Sequence, residues 1–311
     1  MIKMMKVQNS VIINRALIIY HRVDYDGLCS MAITKSALKK YTPNPIDIFG
    51  YNYNDPIPDF DNFLSIYDAI FLVDISFPSD IMVRLKESGK AIWIDHHITQ
   101  LQESCEIGYD SMEGLRENGT AACELCWRYF NTGIEVPKPV LYLSHYDTWR
   151  HDVFDWEKEI LPFQYGLRAK YSLNAHLFSQ EFDDILKNYE EIVVSGTGIL
   201  KYLTGTWKGS VKGYAFDVSV VGKYKGICML TSTFGSSQFD SVKDQYDVYI
   251  CVNRKGPDTY NISMYVNDNC DFDAGTFMKE HHSGGGHLRA AGGVLTLDQF
   301  VHLIRDCEIN E

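Results

Sequence analysis

The sequence lacks any apolar run long enough to cross a bilayer. Its longest apolar stretch near the start, Val11 to Tyr20, is broken by Asn14 and Arg15. The opening Met1-Ile2-Lys3-Met4-Met5-Lys6 has neither the apolar core nor the small-residue cleavage site of a secretory leader, so a cytoplasmic chain with no membrane partner is expected. Basic residues are also in short supply, 29 Lys and Arg against 41 Asp and Glu, for a net charge of −12. Gripping a long nucleic-acid duplex needs a broad basic surface, which this balance argues against. A short anionic substrate remains compatible if metal ions bring the positive charge. Cysteines are present, eight of them, but no disulfide framework is. Cys123 and Cys126 make one CxxC inside the apolar helical pattern Thr120 to Phe130, and no second pair follows. Two small residues on a buried helix face, with thiols reduced throughout, is the expectation.

A length of 311 residues allows two domains with their own cores. The first half alternates short apolar runs with amphipathic stretches. Strands are expected over Ala16 to Tyr20, Ile46 to Tyr51, Ala69 to Val73 and Ala91 to Ile94, and helices over Leu28 to Tyr41 and Ser79 to Glu87. Continuous apolar strands separated by helices predict a buried parallel sheet with helices on both faces, an α/β domain. From Gly119 to about Leu203 the pattern is mostly helical. Pro137 and Pro139 stand near the start of one helix, and a long helix from Asp183 to Leu203 is interrupted near Gly196 and Gly198. After Gly205 strand-like runs return at Tyr214 to Val221, Gly226 to Thr231, Tyr246 to Val252 and Tyr260 to Val266, with helices at Phe272 to His282 and Leu297 to Asp306. This predicts a smaller C-terminal α+β domain. The expected division is 1–190, a linker helix and connection over 191–210, and 211–311. No repeat or low-complexity tract interrupts the chain.

Four clusters of metal-competent side chains follow these elements: His21, Asp24 and Asp26 after the first strand; Asp74 after the third; Asp95, His96 and His97 after the fourth; His145 and Asp147 at the end of the helix begun near Pro139. In open α/β sheets, ligands bind beyond the carboxyl ends of strands. Each cluster has a plainer alternative. Asp74 alone could cap the next helix, His21 alone could be an ordinary loop histidine, and Asp24-x-Asp26-Gly27 could be turn chemistry. Their conjunction at one sheet edge is the stronger signal, since such groups would repel or lie unpaired without a cation. Mixed carboxylate and imidazole donors suit Mn²⁺, with Fe²⁺, Co²⁺ or Zn²⁺ as alternatives. Enough donors are present for two ions with one bridging acid, the arrangement that serves in-line phosphoryl displacement.

In order and spacing, His21-x-x-Asp24-x-Asp26-Gly27, Val73-Asp74, Asp95-His96-His97 and Asp147 resemble the four motifs of the DHH phosphoesterase superfamily. Ser283-Gly284-Gly285-Gly286-His287-x-x-Ala290-Ala291-Gly292 resembles the GGGH signature of its DHHA1 subfamily. The resemblance implies that His21 and Asp24 bind one metal, Asp26 the other, and Asp74 both, with His96 and Asp147 completing the second site. His97 would contact the substrate phosphate and Asp95 would orient its neighbours, while a metal-bound water or hydroxide is the family's nucleophile. Gly284, Gly285, Gly286 and His287 would hold the substrate.

Two departures bear on the substrate. The first motif sets each Asp one residue nearer the His than is usual, a form closer to NrnB-type oligoribonucleases and exopolyphosphatase-related proteins. Where many members carry Ser-x-Arg, this chain has Ser263-Met264-Tyr265, and a phenol does not replace a guanidinium fork. Arg254 and Arg289 are candidates to compensate. The leading expectation is an Mn²⁺-type phosphodiesterase for short oligonucleotides, dinucleotides or related nucleoside phosphates. Hydrolysis of polyphosphate and a catalytically silent nucleotide-binding role are the alternatives, and a homodimer stays open.

Overall fold

The structure, a computed structural model, describes residues 13–53, 55–232 and 235–309. The opening Met1 to Lys6 and the first residues of the Val11 to Tyr20 run lie outside the described residues. The chain divides into two compact units, Met1–Leu200 and Lys201–Glu311.

The first unit is built on strands β1 (Ala16–His21), β2 (Asp47–Tyr51), β3 (Ala69–Val73) and β4 (Ala91–Ile94), all parallel, in the order β2-β1-β3-β4. Helices α1 (Tyr25–Leu38), α2 (Phe60–Ile66), α3 (Ser79–Ser88) and α4 (Ile98–Ile107) alternate with them, and α5 (Ala122–Phe130) through α6 (Lys138–Asp147) and α7 (Leu161–Tyr171) follow. Successive strand residues face opposite sides. Ile18, Phe71, Val73, Ile92 and Ile94 pack with α1, α5, α6 and α7 on one side. Leu17, Ile19, Ile70, Leu72 and Trp93 pack with α2 and α3 on the other. Both faces are therefore covered, which is why the strands read as unbroken apolar runs. Strand β1 has β2 on one side and β3 on the other, so the chain reverses its winding there and leaves a crevice at the strands' carboxyl ends.

Helix α1 begins three residues before the expected Leu28 and ends at Leu38. The sequence pattern misplaces its start because Tyr25, Asp26 and Gly27 look like a turn. They form instead the first helical turn, capped by Asp24, whose side chain accepts from the Gly27 amide at 2.9 Å. A Cβ on Gly27 would sit 1.9 Å from the His21 carbonyl oxygen, so only glycine lets the helix start this close to the strand end.

The expected interruption near Gly196 and Gly198 is absent. After α8 (Ala175–Gln180) and α9 (Phe182–Lys187), the break falls at Asn188, and α10 (Tyr189–Tyr214) continues through both glycines and through the expected Thr204–Ser210 connection. Gly196 serves contact rather than disruption, since a Cβ there would lie 1.7 Å from the Pro162 carbonyl oxygen. No helix among the described residues is long and apolar enough to cross a membrane.

The second unit holds β5 (Phe216–Val220), β6 (Tyr224–Leu230), β7 (Val248–Arg254), β8 (Thr259–Val266), α11 (Ala274–His281), β9 (Gly285–His287), β10 (Ala290–Thr296), α12 (Leu297–Asp306) and β11 (Glu308–Ile309). Its strands form one mixed sheet, ordered β11-β5-β6-β7-β8-β10-β9. Helix α12 starts with a full capping box between Thr296 and Gln299. Helix α11 packs beside β9 and β10, and His282 at its end is 3 % exposed with neither ring nitrogen hydrogen-bonded.

Burial, then the neighbouring His281, pushes the His282 imidazole down to about 4. A histidine held neutral in the fold loses its contribution as the unfolded chain protonates, between about pH 6.5 and 4. Urea unfolding of the full chain at a series of pH values should therefore show His282→Leu losing less stability than the parent over that interval, by on the order of 2–3 kcal/mol. Parallel curves would show that His282 is not the acid-sensitive group.

Candidate metal centre

His145 apart, the residues singled out in the N-terminal half fall at the carboxyl edge of the parallel sheet or on the helices that flank it. His21 ends β1, Asp74 follows β3, and Asp95 follows β4. The crevice predicted by strand order is where their side chains meet.

Three donor groups converge, each with its ligand atoms within 4.8 Å of one another: His21, Asp24 and Asp74; Asp26, His96 and Asp147; and Asp74, Asp95, His96 and His97. His21 Nδ1 lies 2.6 Å from Asp24 Oδ2 and 3.6 Å from Asp74 Oδ2. His96 Nε2 lies 3.5 Å from Asp26 Oδ2, 3.4 Å from Asp74 Oδ1 and 3.3 Å from Asp147 Oδ2. The two oxygens of Asp74 thus face different imidazoles. Asp74 reaches this position from a left-handed backbone, φ 58°, rare for a residue with a side chain and most readily tolerated by Asp and Asn. Its amide donates to the Ile94 carbonyl, tying the strained residue to β4.

Asp26 is held from behind. Its Oδ2 accepts from the Ala122 amide at 2.9 Å and its Oδ1 from the Cys123 amide at 2.7 Å, the first turn of α5. A helix amino terminus favours negative charge, so α5 supports a carboxylate that burial opposes. A second network ties α5 to α6. Buried Glu124 on α5 pairs with Arg128 and, at 2.8 Å, with Arg150, and accepts at 2.6 Å from Ser144, which stands one turn before Asp147. Neither the α5 amides nor Glu124 carries a sequence motif. His21 Nε2 meets Asn52 Oδ1 at 3.4 Å, which turns Nδ1 towards the carboxylates. The ring of Tyr53 stands 5.6 Å from that of His21 and 6.3 Å from that of His97.

Asp95 has a different position. Fully buried, it accepts at Oδ2 from the Trp93 indole at 3.1 Å and at Oδ1 from the His96 amide at 2.7 Å. The same oxygen lies 2.7 Å from His97 Nδ1. Its acceptor capacity is spent on holding the two histidines, which fits an orienting role better than ligation.

The electrostatics of the cluster show what it is shaped for. Burial and the charge of Asp74 push Asp26 up to about 7. Burial and the charge of Asp26 do the same to Asp147, also to about 7. Burial and the charge of Asp24 raise Asp74. The histidines move the opposite way from what burial dictates. Burial lowers His21, but Asp24 and Asp74 prevail and bring it to about 11. Asp74, Asp26 and Asp147 likewise raise His96 to about 10 against burial, and Asp95 raises His97 to about 9. The imidazoles are recruited as cations because the carboxylates need positive charge. Divalent ions would satisfy that need directly and return the histidines to neutral ligands. The donor set fits a metal centre.

Other residues are accounted for differently. His145 is buried away from the cluster, its Nδ1 against the Arg150 carbonyl at 3.3 Å. Cys123 and Cys126 are buried free thiols on α5, as expected. In the second unit, Gly285–His287 is a strand of a hairpin, with His287 opposite Ala290, rather than an open loop. A Cβ on Gly284 would lie 2.0 Å from the Gly292 carbonyl oxygen, and Gly286 adopts φ 146°. The hairpin itself therefore requires these two glycines, while a Cβ on Gly285 would meet nothing within 4 Å. Arg254 is committed to the carbonyls of Gly256 and Pro257, and Arg289 to those of Asn267, Asp268 and Cys270. Both guanidinium groups therefore rest on carbonyls of nearby loops.

Asp95→Asn should leave the fold in place and weaken metal affinity or turnover by about 10- to 100-fold, the usual effect of removing a partner behind metal-site histidines. Calorimetric titration with Mn²⁺ checks this, and an unchanged isotherm together with an unchanged rate would remove Asp95 from the orienting role.

Residues 15–144 match the DHH family, N-terminal domain. No curated protein sequence matches the chain. Among solved structures, the chain is similar to a pGpG-specific phosphodiesterase from Vibrio cholerae, with TM-score 0.57 and 11 % identity over 94 % of this chain and 97 % of that one. It is also similar to the DHH domain of a protein described as a member of a ribosomal-protein family, with TM-score 0.54 and 15 % identity over 95 % and 88 % of the two chains. An exopolyphosphatase-related protein from Bacteroides fragilis gives TM-score 0.51 and 14 % identity over 94 % and 91 %. At such identities the likeness is one of fold. The matched segment contains β1 to β4, whose carboxyl edge carries His21, Asp74 and the Asp95-His96-His97 run, so this part of the chain matches the N-terminal domain of the DHH family.

Proposed function

We propose that the protein is a two-metal phosphodiesterase of the Mn²⁺ type, acting on short oligonucleotides, dinucleotides or related nucleoside phosphates. The observation that carries this is Asp74, whose Oδ2 faces His21 while its Oδ1 faces His96. One ion would be held by His21, Asp24 and Asp74, and a second by Asp26, His96, Asp147 and Asp74. Bound there, a pair of divalent cations supplies acidified water and neutralises charge on the phosphoryl oxygens.

The chain's own side chains do the rest. His97 Nδ1–H donates to Asp95, which favours the imidazolium form and leaves Nε2–H to donate to a phosphate oxygen. The first turn of α5 favours the ionised form of Asp26 against burial and the neighbouring carboxylates. The net charge of −12 supports a small substrate rather than a polymer track, because a long polyanion would meet little compensating charge outside the centre. The pGpG-specific activity in the name of one structural neighbour agrees with a short dinucleotide-sized substrate. Gly284 to His287 in the second unit are assigned to substrate binding, with Gly285 best suited to close approach because the hairpin does not itself demand it.

Asp74→Asn retains a residue that tolerates the left-handed backbone while removing the bridging charge. Turnover of a dinucleotide with Mn²⁺ should fall by about a thousand-fold or more, with the thermal transition little changed. A rate close to the parent's would displace Asp74 from the centre. A panel of dinucleotides, RNA and DNA of a few nucleotides, cyclic dinucleotides and polyphosphate tests the substrate class, and preference for polyphosphate would overturn the assignment. His287→Ala should mainly raise KM with metal binding intact; loss of Mn²⁺ binding in calorimetry would show that His287 has been misassigned.

A further inference from the structure

A cleft of about 500 Å³ opens beside the metal-competent side chains within the first unit. Asp24, Asp26 and Asp147 line it, and so do Leu143 and Tyr146 of α6 and Gln164 and Arg168 of α7. Gln164 and Arg168 are four residues apart and share one face of α7.

Both α7 residues keep polar capacity that the fold leaves unused. Gln164 is 4 % exposed, and its Oε1 has no hydrogen-bond partner. Leaving an amide oxygen buried and unpaired costs about 1–3 kcal/mol, and a turn of the Gln164 amide into the cleft would let a hydrogen-bond donor there satisfy it. Arg168 has no carboxylate partner among the described residues. Its guanidinium lies 5.9 Å from the Tyr146 ring and 5.5 Å from the Tyr165 ring, with one nitrogen 3.4 Å from the Tyr146 hydroxyl. In a chain with 41 acids to 29 bases, an arginine resting on aromatic rings next to three carboxylates is conspicuous. Tyr146 in turn stacks on Trp156 with centroids 5.7 Å apart and planes 5° from parallel. Trp149, 57 % exposed, meets the same indole at 4.7 Å.

Planar rings, a guanidinium and an unpaired amide match a nucleobase, which offers flat faces and a donor edge. A second phosphate fits poorly, because among the described residues three carboxylates share the cleft with a single cation. Resting on the phosphodiesterase reading, we propose that this cleft seats the nucleobase adjoining the scissile phosphate. With its amide turned into the cleft, Gln164 accepts from an N–H on the base edge, and Tyr146 with Arg168 provides the stacking surface. The carboxylate side of the cleft is formed by Asp24, Asp26 and Asp147 of the candidate metal centre, so base and phosphate would occupy adjoining parts of one groove.

The test compares a dinucleotide with bis(p-nitrophenyl) phosphate, which has no base, in the parent, Arg168→Ala and Gln164→Leu. The ratio of kcat/KM for the two substrates should fall by about ten-fold or more in each variant. Equal losses on both substrates, or an unchanged ratio, would overturn the subsite. A second measurement needs no turnover: quenching of tryptophan fluorescence by GMP and AMP without added metal. Saturable quenching that weakens at least about five-fold in Arg168→Ala supports the subsite. No quenching in the parent overturns it, whatever the activity. Quenching in a parent that cleaves neither ester would sink the phosphodiesterase reading while leaving the base site standing.

Discussion

The site is organised by the repulsion among carboxylates forced together at one sheet edge. Asp26 and Asp74 are almost wholly buried, and Asp147 lies against the same imidazole. Nothing in the parallel sheet requires acids there, and an apolar edge would be more stable. The fold restrains them by several means: a helix amino terminus behind Asp26, a strained backbone under Asp74, and histidines set among the acids. Such concentrated opposition to the fold's own stability is characteristic of a functional centre.

The division of labour between Asp74 and Asp95 shows how burial separates similar residues. Both follow a strand, and both are buried. Asp95 finds an indole, two amides and an imidazole, and is lowered despite burial because those partners favour its charge. Asp74 finds histidines and other acids, and is raised. One carboxylate is fully spent on its own chain, while the other keeps capacity for something else.

Much of the first unit was legible in the sequence, for physical reasons. Its strands are buried on both faces, so Ala69–Val73 and Ala91–Ile94 appear as uninterrupted apolar runs with sharp ends, and the acids just beyond them stand out. Helix boundaries were less legible. Tyr25 to Gly27 read as a turn because capping by Asp24 and contact with the His21 carbonyl are tertiary facts. Gly196 read as a breaker because sequence does not show that Pro162 presses against it. The supports of the site were hidden for a related reason: Ala122 and Cys123 act through backbone amides, and Glu124 resembles any helical glutamate. Gln164 and Arg168 become notable only when the fold shows which partners they lack.

The hold of α5 on Asp26 reaches beyond that one ligand. The same short stretch sends the Ala121 amide to Ser144, so three successive peptide groups anchor the helix to both of its neighbours. Two of those three bonds end on the buried carboxylate of Asp26. A substitution that disturbs the start of α5 would therefore be felt on α1 and α6 together rather than at a single loop.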